Sequence, residues 1–391
     1  MDQTITSVDD LQRLAKRRVP SLFYDYVNSG SWTESTYRRN GEDLARLLFR
    51  QRVGVNIAGI DTSSAILGMR AAMPLVLAPA GLTGMLHPDG EILAARAAAR
   101  IGVPYVLSTV SICSIEDLAA HTKQPFWFQL YIMKDRGFIE RLIDRAKAAK
   151  CSALVLTMDL PIQGLRYKDI RNGLSVPPRI TLSTLAAMIS RPRWCAAMLR
   201  TQRRTFGNIV GHAEGASDTM RFSEWVGKQF DRTVTWDDVR WIKQRWGGKL
   251  VVKGIMDAYD AEEALKAGAD AIVVSNHGGR QLDGAPSSIS ALPGIAAVVA
   301  GRAEVLVDGG IRSGQDILRA LALGADNVMI GRAYLYGLGA GGEAGVMQCL
   351  DIMSRELEAT MALCGLTNVR QAGPGTLVNP DFVAPYGGNL R

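Results

Sequence analysis

From Leu75 onward the chain repeats one unit eight times: a short apolar run, a polar or glycine-rich stop, then a longer amphipathic stretch. The apolar runs read as buried strands over Leu75–Ala80, Tyr105–Ser108, Phe126–Tyr131, Ala153–Asp159, Leu250–Lys253, Ala271–Asn276, Glu304–Gly309 and Asn327–Gly331. Helical periodicity follows over Glu91–Arg100, Ile115–His121, Arg136–Ala149, Trp236–Trp246, Ala258–Ala267 and Gly314–Leu323. Eight such units in succession predict a closed α/β barrel, the (β/α)8 or TIM fold, with its active site at the carboxyl ends of the strands. With 391 residues, 47% of them apolar, the chain can bury the core this needs as a single domain. The predicted division is a helical extension over 1–74, a barrel over 75–366 with a long insertion at 160–233, and a tail over 367–391. Within the extension Ser7–Arg18, Ser21–Gly30 and Glu34–Leu48 read as helices, with Ser7 as an N-cap and Pro20 as a break.

Chemistry concentrates at the strand ends. In order they carry Pro79-Ala80-Gly81, Ser108-Thr109, Gln129 with Tyr131, Thr157 with Asp159, Lys253, Ser275 to Arg280, Asp308-Gly309-Gly310 with Arg312, and Gly331-Arg332. After the sixth strand His277 can hold or release a proton near neutral pH, and Arg280 can clamp a carboxylate through two parallel hydrogen bonds. Gly278 and Gly279 let the backbone approach a flat ligand. An anionic substrate that loses a proton suits this set; a structural, hydrogen-bonded histidine is the plainer alternative. Units seven and eight supply Asp-Gly-Gly-x-Arg and Gly-Arg, and the loops there commonly bind phosphate in such barrels. Lys253 admits three roles: a cation beside a ligand, a Schiff-base nucleophile, or a side chain snorkelling to water. His87 and His121 fall at a helix start and a helix end and read as structural.

The run Ser275-Asn276-His277-Gly278-Gly279-Arg280-Gln281 resembles the active-site signature of the FMN-dependent L-2-hydroxy acid oxidases and dehydrogenases. Tyr24-Asp25-Tyr26, inside Phe23 to Gly30, is similar to the family's amino-terminal pattern, and the likeness runs from about Ser7 to Leu366. It implies FMN as cofactor, His277 as the base, Asp159 as the carboxylate that orients it, and Tyr26, Tyr131, Arg166 and Arg280 as substrate contacts. It further implies Ala80, Ser108, Gln129, Thr157, Lys253, Ser275, Asp308, Gly309, Gly310, Arg312, Gly331 and Arg332 as FMN contacts, with Lys253 near N1 and the C2 carbonyl, where negative charge collects on reduction. Val110 stands where glycolate oxidases have tryptophan, which favours the bacterial L-lactate dehydrogenase branch. The implied reaction is oxidation of an L-2-hydroxy acid, L-lactate to pyruvate first, with His277 taking either the Cα or the hydroxyl proton. An (S)-mandelate dehydrogenase or an H2O2-forming oxidase is the alternative within the family; a Schiff-base aldolase or a non-catalytic scaffold lies outside it. The first 51 residues are too few for a preceding cytochrome domain and lack paired histidines, so a membrane quinone is the expected acceptor. Relatives imply a homotetramer.

Charge bears on location. Of the net +7, a surplus of 8 falls between Leu160 and Trp246, where 15 Lys and Arg face 7 Asp and Glu, so the excess is regional and no nucleic-acid partner is expected. From Arg179 to Arg204 the insertion holds six arginines, no acid, and Leu182, Leu185, Met188, Ile189, Trp194, Met198 and Leu199. Such a segment can lie on an anionic membrane surface; a lid or subunit contact is the alternative. Five cysteines without CxxC spacing imply neither a disulfide framework nor a metal site, and Met1 to Asp10 lacks the pattern of a signal peptide. The residues leave membrane surface and lid or subunit contact open; members of the resembled family that attach to membranes do so through this insertion, so the resemblance implies a place at the cytoplasmic side of the inner membrane, peripheral, and otherwise the cytoplasm. The tail from Thr376 to Arg391 reads as partly disordered or wrapped on a neighbour.

Overall fold

The computed structural model of the chain describes residues 4–173, 182–211 and 229–383. Three helices come first: α1 (Val8–Arg18), α2 (Ser21–Val27) and α3 (Ser35–Arg46). Ser7 starts α1 through a capping box, its Oγ accepting from the Asp10 amide while the Asp10 carboxylate accepts from the Ser7 amide. A hairpin follows, β1 (Ser64–Ile66) against β2 (Met69–Ala71). The barrel strands are β3 (Leu75–Leu77), β4 (Val106–Ser108), β5 (Trp127–Tyr131), β6 (Ala153–Thr157), β7 (Lys249–Ile255), β8 (Ala271–Val274), β9 (Glu304–Val307) and β10 (Asn327–Ile330). All pair in parallel in the ring order β3-β10-β9-β8-β7-β6-β5-β4. A bridge from Leu77 to Tyr105, with the Leu77 amide donating to the Pro104 carbonyl at 2.9 Å, closes β3 on β4.

Alternate residues fill the barrel: Val76, Val106, Trp127, Val155, Val251, Val273, Leu306 and Met329 form an inner cluster, while Leu75, Leu77, Leu154, Leu156, Leu250, Val252 and Ile272 face the helices. The hairpin closes the floor. Ile66 and Ala71 join the inner cluster, the Leu67 amide donates to Glu304, and Asn327 bonds Ser64 and Ala65; Glu304 and Asn327 are the first residues of β9 and β10.

The crossing helices are α4 (Gly90–Ile101), α5 (Ile115–His121), α6 (Arg136–Ala148), α7 (Tyr167–Arg171), α8 (Leu182–Ile189), α9 (Pro192–Arg200), α10 (Trp236–Trp246), α11 (Ala258–Lys266), α12 (Ser288–Val299), α13 (Gly314–Ala322) and α14 (Arg332–Leu363). The eight strands fall where the sequence pattern puts them, most ending one to three residues earlier because the polar ends turn into loops. The hairpin, α12 and α14 lie outside the pattern. Pro293 sits inside α12, and α14 is kinked at Gly341 and Gly342 and glycine-rich where its two halves meet: a Cβ on Gly337 would come 2.4 Å from the Gly345 carbonyl. Close packing there has replaced side-chain periodicity.

Two expectations need restating. Leu377 is fully buried, bridges Phe49, and the Val378 amide donates to the Leu48 carbonyl at 2.8 Å, so the start of the tail packs on its own chain, while residues 384–391 lie outside the described residues. In the insertion, Arg179 lies outside the described residues, Arg203 pairs with Asp117 and Asp89, and Arg204 donates to the Thr201 and Leu199 carbonyls. Trp194 docks α9 on the barrel, its indole donating to the Met85 carbonyl at 2.9 Å and its ring 5.4 Å from Phe23.

Candidate active site

A cavity of about 770 Å³ lies at the carboxyl ends of the strands, within the ~300–1,000 Å³ usual for ligand sites. Beyond β8 the chain enters the left-handed region at three consecutive residues, His277 (φ 57°), Gly278 (63°) and Gly279 (72°). The histidine alone of the three pays a Cβ penalty, offset by anchoring on both sides. Its amide donates to Ser275 Oγ at 3.1 Å, the Gly279 amide donates to Asn276 Oδ1 at 3.0 Å, and Asn276 exchanges two side-chain bonds with Asn40 of α3.

The loop brings His277 Nδ1 to 2.9 Å from Asp159 Oδ1, leaving Nε2 as the ring nitrogen for the cavity that His277 lines. Asp159 approaches because Gly254 (φ 104°) has no side chain: a Cβ there would sit 2.7 Å from the aspartate's own Cβ. Burial would raise the Asp159 pKa, but the His277 imidazole and Lys253 overcome this and hold it below the ordinary carboxylate value. Burial pushes His277 down from 6.5, only partly countered by Asp159. The resting pair is a neutral imidazole on an ionised carboxylate, which is a competent base.

Two guanidiniums face the same space. Arg166, at the N-cap of α7, is 7% exposed, and burial together with the charge of Arg280 pushes its pKa down to about 10. Arg280 lies 4.7 Å over the Tyr26 ring and donates to the Ser29 carbonyl and hydroxyl at 3.1 Å. A buried and a half-buried cation set this close favour an anion between them. Tyr26 and Tyr131 line the cavity too; burial and nearby Asp159 push the Tyr131 phenol upward, so it stays a neutral donor.

On β6 and β7, Thr157 and Lys253 line the cavity; Gln129 bonds the first and Ser275 the second, and Ser108 bonds Gln129 in turn. Gln129 Nε2 donates to Thr157 Oγ1 at 3.1 Å, Ser108 Oγ to Gln129 Oε1 at 3.0 Å, and Lys253 Nζ to Ser275 Oγ at 2.7 Å. Burial opposes the Lys253 charge, but Asp308 at 2.8 Å and Asp159 raise its pKa, so the ammonium persists; a Schiff-base nucleophile needs the free amine instead. From the other strand ends, Ala80, Gly309, Gly310, Arg312, Gly331 and Arg332 line the same cavity, Gly331 with open space at its Cα and the backbone amides of α14 starting there. Gly81 is pinched, since a Cβ would lie 2.8 Å from Val110 and 3.2 Å from the Tyr26 hydroxyl. His87 and His121 bond to the carbonyls of Pro88 and Asp117, away from this cavity.

Sequence reasoning passed over Tyr37, which lines the cavity with Gly41 one turn later on α3, and over Asn40, which supports the His277 loop. A bare glycine four residues after an aromatic on a helix read as polar was the available signal. Asp169, 3.8 Å from Arg166, and Ser29 were likewise missed.

The FMN-dependent dehydrogenase family profile matches residues 15–379. An L-lactate dehydrogenase of Caulobacter vibrioides is 46% identical over 366 residues, covering 93% of this chain and 95% of that protein; one from Actinobacillus pleuropneumoniae is 47% identical over 360 residues, covering 92% and 94%. Among solved structures, a monotopic membrane protein, (S)-mandelate dehydrogenase, superposes with a TM-score of 0.92 at 35% identity, covering 96% of this chain and all of the other; a mandelate oxidase gives 0.82 at 37%, covering 96% and 98%. The donors present suit FMN: a charged lysine and a threonine on β6 and β7, glycines and two arginines after β9 and β10, and a buried Asp308 Oδ1 with no bond among the described residues. Profile, relatives and cavity agree, and the chain belongs to the FMN-dependent dehydrogenase family.

Proposed function

We propose that this enzyme oxidises an L-2-hydroxy acid to the 2-oxo acid, L-lactate to pyruvate foremost, and passes the electrons to a membrane quinone. The observation that carries the reading is the His277–Asp159 pair set in one cavity with Arg166, Arg280, Tyr26 and Tyr131. Bound FMN supplies the two-electron acceptor. Arg280 and Arg166 hold the substrate carboxylate, with Tyr26 beside it, and Tyr131 donates to the hydroxyl. His277 Nε2 receives the proton that leaves the substrate, and Asp159 stabilises the imidazolium formed. The dry floor of apolar strand residues keeps these charges strong.

L-Lactate is favoured by the relatives at 46% and 47% identity, which are L-lactate dehydrogenases. The mandelate-acting structural neighbours make an aryl hydroxy acid the second reading, which suits the apolar Leu82, Met85, Val110, Phe206 and Phe230 along the same cavity. Membrane attachment at the cytoplasmic face, with a quinone within reach, is supported by Ile189 and Leu199, 64% and 73% exposed on α8 and α9, and by the monotopic neighbour. Among the described residues no helix is long and apolar enough to cross a membrane.

The test is anaerobic mixing of the yellow enzyme with L-lactate, L-mandelate and longer L-2-hydroxy acids, followed by addition of a quinone or O2. Fast bleaching by L-lactate and reoxidation by quinone are expected. Bleaching confined to mandelate moves the substrate to the second reading, and bleaching by none of them removes the proposal.

A further inference from the structure

The phosphate end of the cavity is completed by a residue from outside the barrel. Arg312 Nη2 donates to the Tyr37 hydroxyl at 2.9 Å, and Arg332 lies 4.5 Å over the ring of the same tyrosine. The hydroxyl donates onward to Asn28 Oδ1 at 3.1 Å, which also accepts from Tyr336 of α14 at 2.8 Å and from Gln12 of α1 at 3.3 Å. Arg332 is tied down separately, donating to the carbonyls of Val27, Ser29 and Gly278. The start of α3 is held by the catalytic loop: a Cβ on Gly279 would fall 2.5 Å from the Tyr37 amide nitrogen and Cα, and one on Gly30 would fall 2.8 Å from Tyr37 Cβ. Two cations held side by side repel; a neutral ring that offers one its face and the other its oxygen lowers that cost. The same tyrosine lines the cavity beside Gly309 and Gly310.

We propose that Tyr37 is a positioning residue for the phosphate of the cofactor, aligning Arg312 and Arg332 on it and thereby making the amino-terminal helices part of the cofactor site. This rests on the FMN reading of the cavity, and riboflavin, which has the ring system without the phosphate, separates the two. Apoenzyme of the full chain is titrated with FMN and with riboflavin, following flavin fluorescence, for wild type, Tyr37→Phe and Tyr37→Leu. Tyr37→Phe keeps the ring and loses one hydrogen bond to a charged group, so FMN affinity falls about tenfold or more, and further in Tyr37→Leu, while riboflavin affinity stays at the wild-type value. Equal losses for both flavins, or unchanged affinity for FMN, overturn the assignment. A wild type that does not discriminate FMN from riboflavin overturns it together with the phosphate site itself.

Discussion

At the scale of single residues, His277 is set by opposing effects of known sign. Its pKa lies below 6.5 because burial outweighs the pull of Asp159, so the imidazole is neutral at pH 7, as the proposed base must be, and is lost to that role by protonation as pH falls through the lowered value. kcat/KM is therefore expected to be flat near neutrality and to drop on the acid side with unit slope, and His277→Gln is expected to abolish that limb with a rate loss on the order of 10²–10⁴ while FMN stays bound. A variant that retains the acid limb would reassign the base. The same depression acts on folding: the unfolded chain takes up this proton first, so the stability contributed by neutral His277 is present above about 6.5 and declines as pH falls. Lys253 is the complementary case, kept charged by Asp308 and Asp159 against its burial.

Among the elements, β7 matters most for the dyad, because its bulge near Gly254 gives Asp159 its place. Gly254→Ala puts a methyl 2.7–2.9 Å from three Asp159 atoms at a φ of 104°, so a loss of at least about 1 kcal/mol in stability is expected along with weakened turnover. Thermal melting and the acid limb of the rate profile check it together: displacing Asp159 removes its upward pull on His277 and moves the limb to lower pH, and an unshifted limb would mean that the pair survives the substitution. The strands and the site-bearing ends were legible in the sequence for one physical reason: in a parallel barrel the apolar run and the polar stop that follows it are adjacent in the chain. Tyr37 and Asn40 were not, since they reach the cavity from a helix whose periodicity reads as a solvated extension. The hairpin is too short for any period to register, and α12 and α14 hide behind Pro293 and a glycine seam.

For the whole molecule, the insertion is where the site meets the outer surface. Helices α8 and α9 expose Leu185, Ile189 and Leu199 while Met188 lines the cavity, so one surface faces outward as the other looks onto the site. Removing 182–200 is expected to release the enzyme from membranes into the soluble fraction, and to leave anaerobic bleaching by hydroxy acid measurable while slowing reoxidation by a lipid-soluble quinone. Retention in the membrane pellet after the deletion would move the attachment elsewhere. The plug that β1 and β2 form under the strands has a kinetic corollary. With the interior filled and the base stoppered, reactants share the one mouth, and an acceptor that has to enter by it competes with the oxo acid: initial rates with both reactants varied are expected to give parallel reciprocal lines, and intersecting lines would show that electrons leave while the oxo acid is still bound.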